Sequence, residues 1–326
     1  MRILALQLKR IGDLILTTPA LSALRAAHPS AEIALAVTPG CAPLLSAIDS
    51  ISSGIVLGRG RGFAPWQQVL TGPWDLCIDF TGSDRSALAV AASRANERTT
   101  FAWVQRSKVR SLAYNHFTDS PVRERHTVDH YLDLVRATAP LDPHLVIPQS
   151  AQSVADEMLR ASEIASPFVL LHPGSARAEK YWLPGRWAEV IASLKSPCVI
   201  TCGPDEFERA HVAAIQSQIE NLKFEIAYPS NLLTLAALIE RAALVVSCDT
   251  AAVHFAAAFQ RPQIALFGPT NPFHWRPRHE HALVLSAAKP GAPLRDFTPR
   301  MKGAPMERIS TALVIDAIAS LIPNLN

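Results

Sequence analysis

The chain has 326 residues, of which 49% are hydrophobic and 18% charged, so we expect a large buried core and about two domains rather than a disordered chain. Its formal net charge of +3 is too small to indicate a nucleic-acid-binding protein. No apolar run is long enough for a transmembrane helix, and Lys9, Arg10 and Asp13 interrupt the apolar N-terminus, which argues against a signal peptide.

The first half of the chain alternates short apolar runs with longer helical segments. We predict strands at residues 2–8, 32–37 and 74–80, and helices at 13–28 and 86–94. The strands show little polar alternation, which is typical of strands that are buried on both faces. Strand–helix–strand repetition predicts a parallel sheet covered by helices.

A second series of the same kind begins after residue 150. We predict strands at 168–174, 198–204, 244–250 and 263–269, and helices at 184–194, 205–219, 251–259 and 309–322. The Pro-rich segment 139–150 separates the two series, so we predict domains at 1–150 and 151–326, with the last helix able to pack back on the first. The fold class is therefore α/β, with two Rossmann-like, doubly wound parallel-sheet domains facing a central cleft. Ligands should bind where the strands end.

The five cysteines lie mostly in or beside apolar strand-like runs and follow no disulfide pattern. Their odd number favours reduced thiols in a cytosolic protein. Cys198 and Cys202 would share one face of a strand, but no second ligand pair follows them. We therefore expect buried thiols here rather than a metal site.

The turn after the first strand contains Gly12 and Asp13. Glycine allows tight backbone geometry, and Asp13 could cap the helix that follows. A carboxylate in a cleft could equally act as a general base toward a hydroxyl group. The position of Asp13 alone favours the role of helix cap over that of general base.

Two segments in the second half suggest a phosphate site. The first, residues 172–175, ends a strand and is followed by Lys180, so Ser175 could donate a hydrogen bond and Lys180 could supply a positive charge. The second is a strand that ends at Asp249 and leads directly into a helix whose first amides could bind a diphosphate. The alternatives are a solvated lysine after an ordinary turn, and a helix capped by Asp249 with His254 in the core.

Two further strand ends could complete this site. The Gly268 turn could line the same pocket, or it could be an ordinary surface turn. Glu206 could accept hydrogen bonds from a ribose, although acids in the first turn of a helix also complement its dipole. The sequence contains no GxGxxG, no GxxxxGK[ST], no HExxH and no Asp-x-Asp pair. We therefore expect no metal and no cofactor.

Three segments together resemble glycosyltransferase family 9, the heptosyltransferases of lipopolysaccharide core assembly. They read MRILALQLKRIGDLILTTPAL, LLHPGSARAEKYWLPGRW and LVVSCDTAAVHFAAAFQRPQIALFGPTNP. The resemblance implies a GT-B fold and an inverting, metal-independent transfer of heptose from an ADP-sugar to a lipopolysaccharide inner-core or similar glycolipid acceptor. The first domain would carry the acceptor and the catalytic base, and the second the nucleotide sugar.

The resemblance also assigns roles to residues. Asp13 resembles the catalytic base, next to Gly12, and Lys180 would stabilise the leaving diphosphate. The residues assigned to donor binding are Gly12, Ser175, Glu206, Asp249, Thr250, Ala251, His254 and Gly268. The sequence departs from the family at Ala176, where a second hydroxyl is usual, and at Ala251, where glycine is common.

The acceptor should be acidic, because cations concentrate in the first half of a nearly neutral chain. The candidate acceptor-binding residues are Arg59, Arg61, Arg98, Arg106, Lys108 and Arg110. The alternative is a solvated surface that favours solubility. We expect a cytoplasmic protein whose partners are a nucleotide sugar and an acidic glycolipid at the inner face of the cytoplasmic membrane, with no nucleic acid.

Two other functions remain open from the sequence. An isomerase resembling the nucleotide-sugar 2-epimerases would use the same fold, and it would convert a nucleotide sugar without any acceptor. A non-catalytic nucleotide-binding relative would bind the donor and transfer nothing. The segment around Asp249 and the Gly12-Asp13 turn argue against the isomerase, and Asp13 with Lys180 argues against the second alternative.

Overall fold

The computed structural model describes residues 1–58, 60, 62–139, 141–164, 166–219, 224–229 and 231–322. The chain divides into two compact units, Met1–Val146 and Ile147–Asn326. The division lies four residues before the predicted boundary. The ligand-binding roles assigned to the two units remain predictions.

The first unit is built on a six-stranded parallel sheet in the order β3-β2-β1-β4-β5-β6. The strands are β1 (Arg2–Gln7), β2 (Glu32–Val37), β3 (Ser53–Val56), β4 (Leu76–Asp79), β5 (Glu97–Phe101) and β6 (His116–Thr118). The helices are α1 (Ile11–Ala27), α2 (Ala64–Thr71), α3 (Asp84–Ser93), α4 (Lys108–Ser111) and α5 (Thr127–Leu134), and 3₁₀ turns span Pro39–Ala47 and Ala102–Arg106.

The second unit repeats this plan with the order β12-β11-β10-β7-β8-β9. Its elements are α6 (Gln149–Ala161), β7 (Val169–His172), α7 (Pro184–Ser193), β8 (Cys198–Thr201), α8 (Glu206–Gln216), β9 (Phe224–Ala227), α9 (Leu232–Arg241), β10 (Leu244–Cys248), α10 (Ala251–Ala258), β11 (Gln263–Phe267), β12 (Ala282–Ser286) and α11 (Thr311–Leu321). Short 3₁₀ turns span Ala178–Lys180, Pro272–His274 and Met306–Arg308.

The central strands are buried on both faces, as the unbroken apolar runs predict. The residues of β4, β7, β10 and β11 are all buried, and every strand pairing is parallel. Helices must therefore cover both faces of each sheet. The predicted fold class, two doubly wound α/β domains, is confirmed.

The last helix, α11, packs on α7 and β11 of its own unit. Val314, Ala317 and Ile318 supply its buried face. The indole of Trp182 donates a hydrogen bond to the carbonyl of Ile309 at 3.0 Å, just before α11 begins. The buried side chains of α11 therefore belong to the core of the second unit.

Two smaller findings complete the fold. All five cysteines are buried free thiols, and burial raises the pKa of Cys202 to about 11 and that of Cys248 to about 12. Among the described residues, no helix has both the length and the apolar character needed to cross a membrane.

Candidate functional site

The strand order reverses between β7 and β10, which are hydrogen-bonded neighbours in the second sheet. The chain proceeds outward from β7 in one direction and from β10 in the other, so the loops after these two strands diverge. Such a point leaves a crevice at the carboxyl edge of a sheet, and ligands of this fold bind there. Ser175 follows β7, and Asp249 follows β10.

A buried ion pair joins these two loops. Nζ of Lys180 lies 2.6 Å from Oδ2 of Asp249 and 3.1 Å from the main-chain oxygen of the same residue. The side chains are only 13% and 7% exposed, so the contact is largely shielded from water. An ammonium group has three N–H donors, and two are directed at Asp249. The sequence placed Lys180 as a mobile cation, but the structure fixes it on the loop after β10.

Helix α10 begins at this crevice without a side-chain cap. Its N-cap residue is Thr250, in extended conformation, and the Thr250 side chain forms no capping hydrogen bond. The alternative in which Asp249 caps the helix is therefore wrong, because the Asp249 carboxylate is used by Lys180 instead. The first amides of a helix lack partners within it and carry partial positive charge, so this terminus can accept an anion. Ala251 adds only a methyl group at the opening.

His254 and Ser175 lie deeper in the fold. His254 is 5% exposed within α10, and Ser175 is 5% exposed after β7. The hydroxyl of Ser175 accepts a weak hydrogen bond from the amide of Arg177 at 3.4 Å, which leaves its own hydrogen available for donation. Their contact with a donor remains a prediction.

At the end of β8 the structure buries a different acid from the one that the sequence singled out. Glu206 is the first residue of α8 and is exposed, while Asp205 caps the helix by accepting a hydrogen bond from the amide of Phe207 at 2.9 Å. Glu208 is 8% exposed instead, and its Oε2 accepts a hydrogen bond from the amide of Gly203 at 2.7 Å. Glu208 is thus the carboxylate that reaches the strand end, and Glu206 points into solvent.

Two glycines make room for the Glu208 carboxylate. A Cβ atom at Gly174 would lie 2.5 Å from Oε2 of Glu208, and one at Gly203 would lie 2.6 Å from the same atom. The carboxylate therefore lies between the ends of β7 and β8. Burial raises the pKa of Glu208 above its usual value, and the hydrogen bond from Gly203 partly offsets this rise.

The Gly268 loop is shaped by packing. A Cβ atom at Gly268 would lie 2.3 Å from the sulfur of Met306, and the Gly268 carbonyl accepts a hydrogen bond from the amide of Ala304 at 3.0 Å. A Cβ atom here would displace the Met306 side chain, so glycine favours the close contact between this loop and the chain that follows β12. Its contact with a donor stays a prediction.

In the first unit, Asp13 lies in the first turn of α1, beside Gly12. The helix begins at Ile11, and its N-cap residue is Arg10, so Asp13 is not the cap. Oδ1 of Asp13 accepts a hydrogen bond from the hydroxyl of Tyr131 at 2.9 Å. Asp13 is half-buried, so the residue remains partly accessible while Tyr131 holds one of its oxygens. This arrangement suits a general base, which needs orientation as well as access.

Tyr131 is a residue that the sequence did not suggest. It is 1% exposed and contacts Phe80 edge to face. Burial, with the Asp13 carboxylate nearby, raises the pKa of Tyr131 well above its usual value, so its hydroxyl remains a hydrogen-bond donor. Nζ of Lys9 donates to the same hydroxyl at 3.4 Å. Tyr131 is far from Asp13 in the sequence, so no local pattern could pair them.

The predicted acceptor-binding cations fall into three groups. Arg98 donates from Nε to the carbonyl of Ala113 and from Nη1 to that of Ala95, and Arg110 donates to the carbonyl of Gly82. These two side chains therefore hold loops of the first unit together. Arg106 and Lys108 are exposed. Arg59 and Arg61 lie outside the described residues.

The part of the chain that the structure describes contains no group of three or more His, Cys, Asp or Glu side chains that could hold a metal ion. Near the crevice, positive charge is supplied by Lys180 and by the partial charges of the first α10 amides. Both lie at the carboxyl edge of the second sheet.

The chain is similar to several known glycosyltransferases. It is 27% identical over 294 residues to lipopolysaccharide heptosyltransferase 3 of Escherichia coli K12, which covers 85% of each chain. It superimposes on a family 9 glycosyl transferase of Veillonella parvula with a TM-score of 0.85, at 24% identity over 99% of this chain and 97% of that one. The E. coli heptosyltransferase WaaC, solved with ADP-2-deoxy-2-fluoro heptose, gives a TM-score of 0.75 at 21% identity, covering 98% and 99% of the two chains.

The solved structures confirm the predicted GT-B type of fold. The family model for glycosyltransferase family 9 (heptosyltransferase) matches residues 63–304, well over half of the sequence. This match favours sugar transfer over the epimerase and the non-catalytic alternative. The chain belongs to glycosyltransferase family 9, the heptosyltransferases, and is a glycosyltransferase.

Proposed function

We propose that this enzyme transfers a heptose from ADP-heptose to an acidic glycolipid of the lipopolysaccharide inner core, with inversion at the anomeric carbon and without a metal ion. The observation that carries the proposal is the buried Lys180–Asp249 pair beside the uncapped N-terminus of α10. Together they form an anion seat at the strand-order switch point. The family relationship supports the same donor class.

The second unit would bind the donor. The diphosphate would lie against the first amides of α10, with Lys180 and the hydroxyls of Ser175 and Thr250 close to its oxygens. Glu208 would accept hydrogen bonds from the ribose hydroxyls, in the role that the sequence assigned to Glu206. This choice is supported by the burial of Glu208 at the end of β8, where the ribose of a nucleotide binds in such folds.

The reaction would be a single displacement with Asp13 as the general base. The acceptor hydroxyl loses its proton to Asp13 as its oxygen attacks the anomeric carbon. The new C–O bond forms on one face while the bond from the anomeric carbon to the diphosphate oxygen breaks on the other. ADP departs with that electron pair, so one displacement gives one inversion. Tyr131 would act as a positioning residue, because its hydroxyl fixes one oxygen of Asp13.

Charge that develops on the departing diphosphate would be stabilised by Lys180 and by the α10 amides. Fixed donors in a shielded site stabilise such charge without reorganisation in the transition state. The Lys180 ammonium is already oriented by Asp249, which supports this role. We therefore propose that no metal ion is required.

We also propose that the enzyme is cytoplasmic and binds the inner face of the cytoplasmic membrane through the outer surface of α2, α3 and α4. These helices follow β3, β4 and β5, and α3 packs against both α2 and α4. Four large apolar side chains there are more than 60% exposed: Phe63, Leu88, Val109 and Leu112. Arg106 and Lys108, which precede Val109 closely in the sequence, are also exposed. Exposed apolar groups next to cations are typical of surfaces that bind anionic lipid.

Vesicle flotation tests the membrane proposal. The protein should float with vesicles that contain phosphatidylglycerol and much less with pure phosphatidylcholine. Leu112→Asp should abolish flotation, whereas Val154→Asp, a change of similar type at a half-exposed position of α6, should not. Equal flotation of both variants would contradict the proposed surface.

A transfer assay tests the proposed reaction. The enzyme is incubated with ADP-heptose and a heptose-deficient lipopolysaccharide, and the product linkage is determined by NMR. We expect transfer that persists in excess EDTA, and an anomeric configuration opposite to that of the donor. UDP- and GDP-sugars serve as controls, and thermal shift reports which nucleotide binds.

Several results would contradict the proposal. A product with retained configuration would exclude the single displacement. Loss of transfer in EDTA that Mg²⁺ restores would exclude metal independence. An isomeric nucleotide sugar formed without acceptor would favour the epimerase alternative.

A further inference from the structure

The chain between β12 and the Met306–Arg308 turn forms a long ordered segment without helix or strand. We call residues 287–305 the basic coil, because they contain Lys289, Arg295, Arg300 and Lys302 but only one acid, Asp296. Connections longer than about 15 residues without secondary structure are uncommon within domains and usually functional. Ordering such a chain costs conformational entropy, so its contacts are informative.

Apolar packing holds the first part of the basic coil against α10 and β11 of the second unit. Leu294 and Phe297 pack on a cluster that includes Val253 of α10 and Phe267 of β11. The amide of Leu294 donates to the carbonyl of Val284 at 2.7 Å. The guanidinium of Arg276 lies 4.3 Å from the ring centre of Phe297. The coil is therefore attached to the helix whose N-terminus forms the proposed diphosphate seat.

Hydrogen bonds attach the second part of the basic coil to the loop after β11. Nδ2 of Asn271 donates to the carbonyls of Thr298 and Pro299, at 3.0 and 3.1 Å. The amide of Ala304 donates to the carbonyl of Gly268 at 3.0 Å. Asn271 and Gly268 thus hold the coil on both sides of residues 300–303.

The backbones also approach closely at Gly303. A Cβ atom there would lie 2.1 Å from the carbonyl oxygen of Pro269, so only glycine fits without displacing the loop. The span 300–303 is consequently fixed beside the Gly268 loop at a spacing set by backbone contact. Arg300 and Lys302 lie within this span and are both exposed.

Neither cation has a counter-charge in the part of the chain that the structure describes. Among the described residues, no carboxylate lies within 4.0 Å of the Arg300 guanidinium or the Lys302 ammonium. An anion that contacts both side chains would be stabilised by two positive charges carried on one anchored segment. Arginine and lysine are the side chains that bind phosphate and carboxylate groups.

We propose that Arg300 and Lys302 form an anion-binding site that takes a phosphate group of the acceptor glycolipid. The proposal rests on the proposed sugar transfer, and it assigns part of acceptor recognition to the donor-binding unit. The donor diphosphate already has its own seat at Lys180 and α10, one strand away from the Gly268 loop. Acceptor anions are therefore the better occupants of the site on the coil.

Steady-state kinetics show whether the site binds the donor diphosphate or an anionic group of the acceptor. For Arg300→Ala/Lys302→Ala we expect the KM for the acceptor to rise about tenfold, because each exposed charge contact contributes a few-fold in affinity. The KM for ADP-heptose and kcat should stay within about twofold of wild type. Lys289→Ala, an exposed cation of the same coil outside the attached span, is the matched control and should leave all three values unchanged.

A binding measurement without turnover keeps this test independent of the transfer reaction. By calorimetry, wild-type protein should bind a delipidated phosphorylated inner-core oligosaccharide more tightly than the same oligosaccharide after phosphatase treatment. The double variant should lose this preference, and an unchanged melting temperature would show that the coil stays folded. If wild type shows the preference but transfers no sugar, the proposed function fails and the anion site stands.

Two results would overturn the proposed site. One is a rise in the KM for ADP-heptose equal to that for the acceptor, which would assign the cations to the donor. The other is a phosphate preference that survives in the double variant.

Discussion

The hydroxyl of Tyr131 donates a 2.9 Å hydrogen bond to Oδ1 of Asp13, so a residue of α5 orients the proposed base at the start of α1. The two helices pack against each other, and Tyr131 is almost fully buried. Asp13 thus has a partner that restricts its rotation, while the residue remains partly exposed. A general base benefits from such orientation because proton transfer requires short, aligned contacts.

The first prediction concerns this pair. Asp13→Asn should lower kcat by about 10²–10⁴-fold, the usual contribution of a general base. Binding of ADP-heptose should be unchanged, because the proposed donor site lies in the other unit. Tyr131→Phe keeps the ring that contacts Phe80 and removes only the hydroxyl, so kcat should fall by about tenfold or less, with little change in melting temperature. Full activity of Asp13→Asn would remove Asp13 from the mechanism.

The second prediction separates the stabilising and catalytic roles of Lys180. Lys180→Ala leaves the Asp249 carboxylate buried without its cation, which should cost about 3–5 kcal/mol in free energy of unfolding. The double variant Lys180→Ala/Asp249→Ala removes both charges and should recover much of this loss in urea denaturation.

Transfer activity should behave differently from stability. Lost stabilisation of the departing diphosphate should lower kcat by about 10²–10³-fold in both variants. Recovery of kcat together with stability in the double variant would show that Lys180 serves only the fold.

The sequence predicted the central strands well because their residues are buried on both faces. β1, β2, β4, β7, β8, β10 and β11 all coincide with unbroken apolar runs. The peripheral strands β3, β5, β6, β9 and β12 were missed. β5, for example, reads ERTTF, and its Thr100 is buried with its hydroxyl donating to the carbonyl of Asp79. Tertiary hydrogen bonds of this kind leave no trace in apolar periodicity.

The positions at which the helices begin explain most of the differences between the predicted and the observed candidate site. The N-cap of α1 is Arg10, and no side chain caps that end, so the sequence lacked the signal that would have placed it. In α8, Glu206 and Glu208 are two residues apart and therefore point about 200° apart around the helix. Which of them faces the sheet depends on the phase of the helix, and the sequence does not fix that phase.

The third prediction tests Glu208. Glu208→Gln keeps an acceptor for the amide of Gly203 and removes a buried charge, so stability at neutral pH should be unchanged or slightly higher. Affinity for ADP-heptose should fall about tenfold or more, because charge-assisted hydrogen bonds to the ribose are lost. Glu206→Gln is the matched control and should leave donor affinity unchanged. If the two variants have the opposite effects, the sequence-based choice of Glu206 is right.

The fourth prediction concerns the glycines around the same carboxylate. Gly203→Ala places a methyl group 2.6 Å from Oε2 of Glu208, so the carboxylate must move. Donor affinity should fall as in Glu208→Gln. Both changes act on one carboxylate, so their effects should not add. The affinity of the double variant Gly203→Ala/Glu208→Gln for ADP-heptose should therefore equal that of whichever single variant binds less tightly. Additive losses would show that Gly203 contacts the donor independently.

The fifth prediction is a loss of stability in acid caused by His172. This residue ends β7, and its Nδ1 lies 2.9 Å from the hydroxyl of Thr201. Burial lowers the pKa of His172 from 6.5 to about 4. The folded protein therefore keeps the ring neutral where the unfolded chain binds a proton, and stability falls as pH decreases from about 6.5 to about 4. The slope contributed by this one group approaches about 1.4 kcal/mol per pH unit within the window.

His172→Gln removes the titrating group and keeps a polar partner for Thr201. Its melting temperature should fall less steeply than that of wild type between pH 6.5 and 4, while the two proteins keep a constant difference above pH 7, where the ring is neutral in both states. Scanning calorimetry across this range measures both quantities. Parallel curves for the two proteins below pH 6.5 would mean that His172 is protonated equally in the folded and unfolded chains, which is incompatible with its burial behind the strand end.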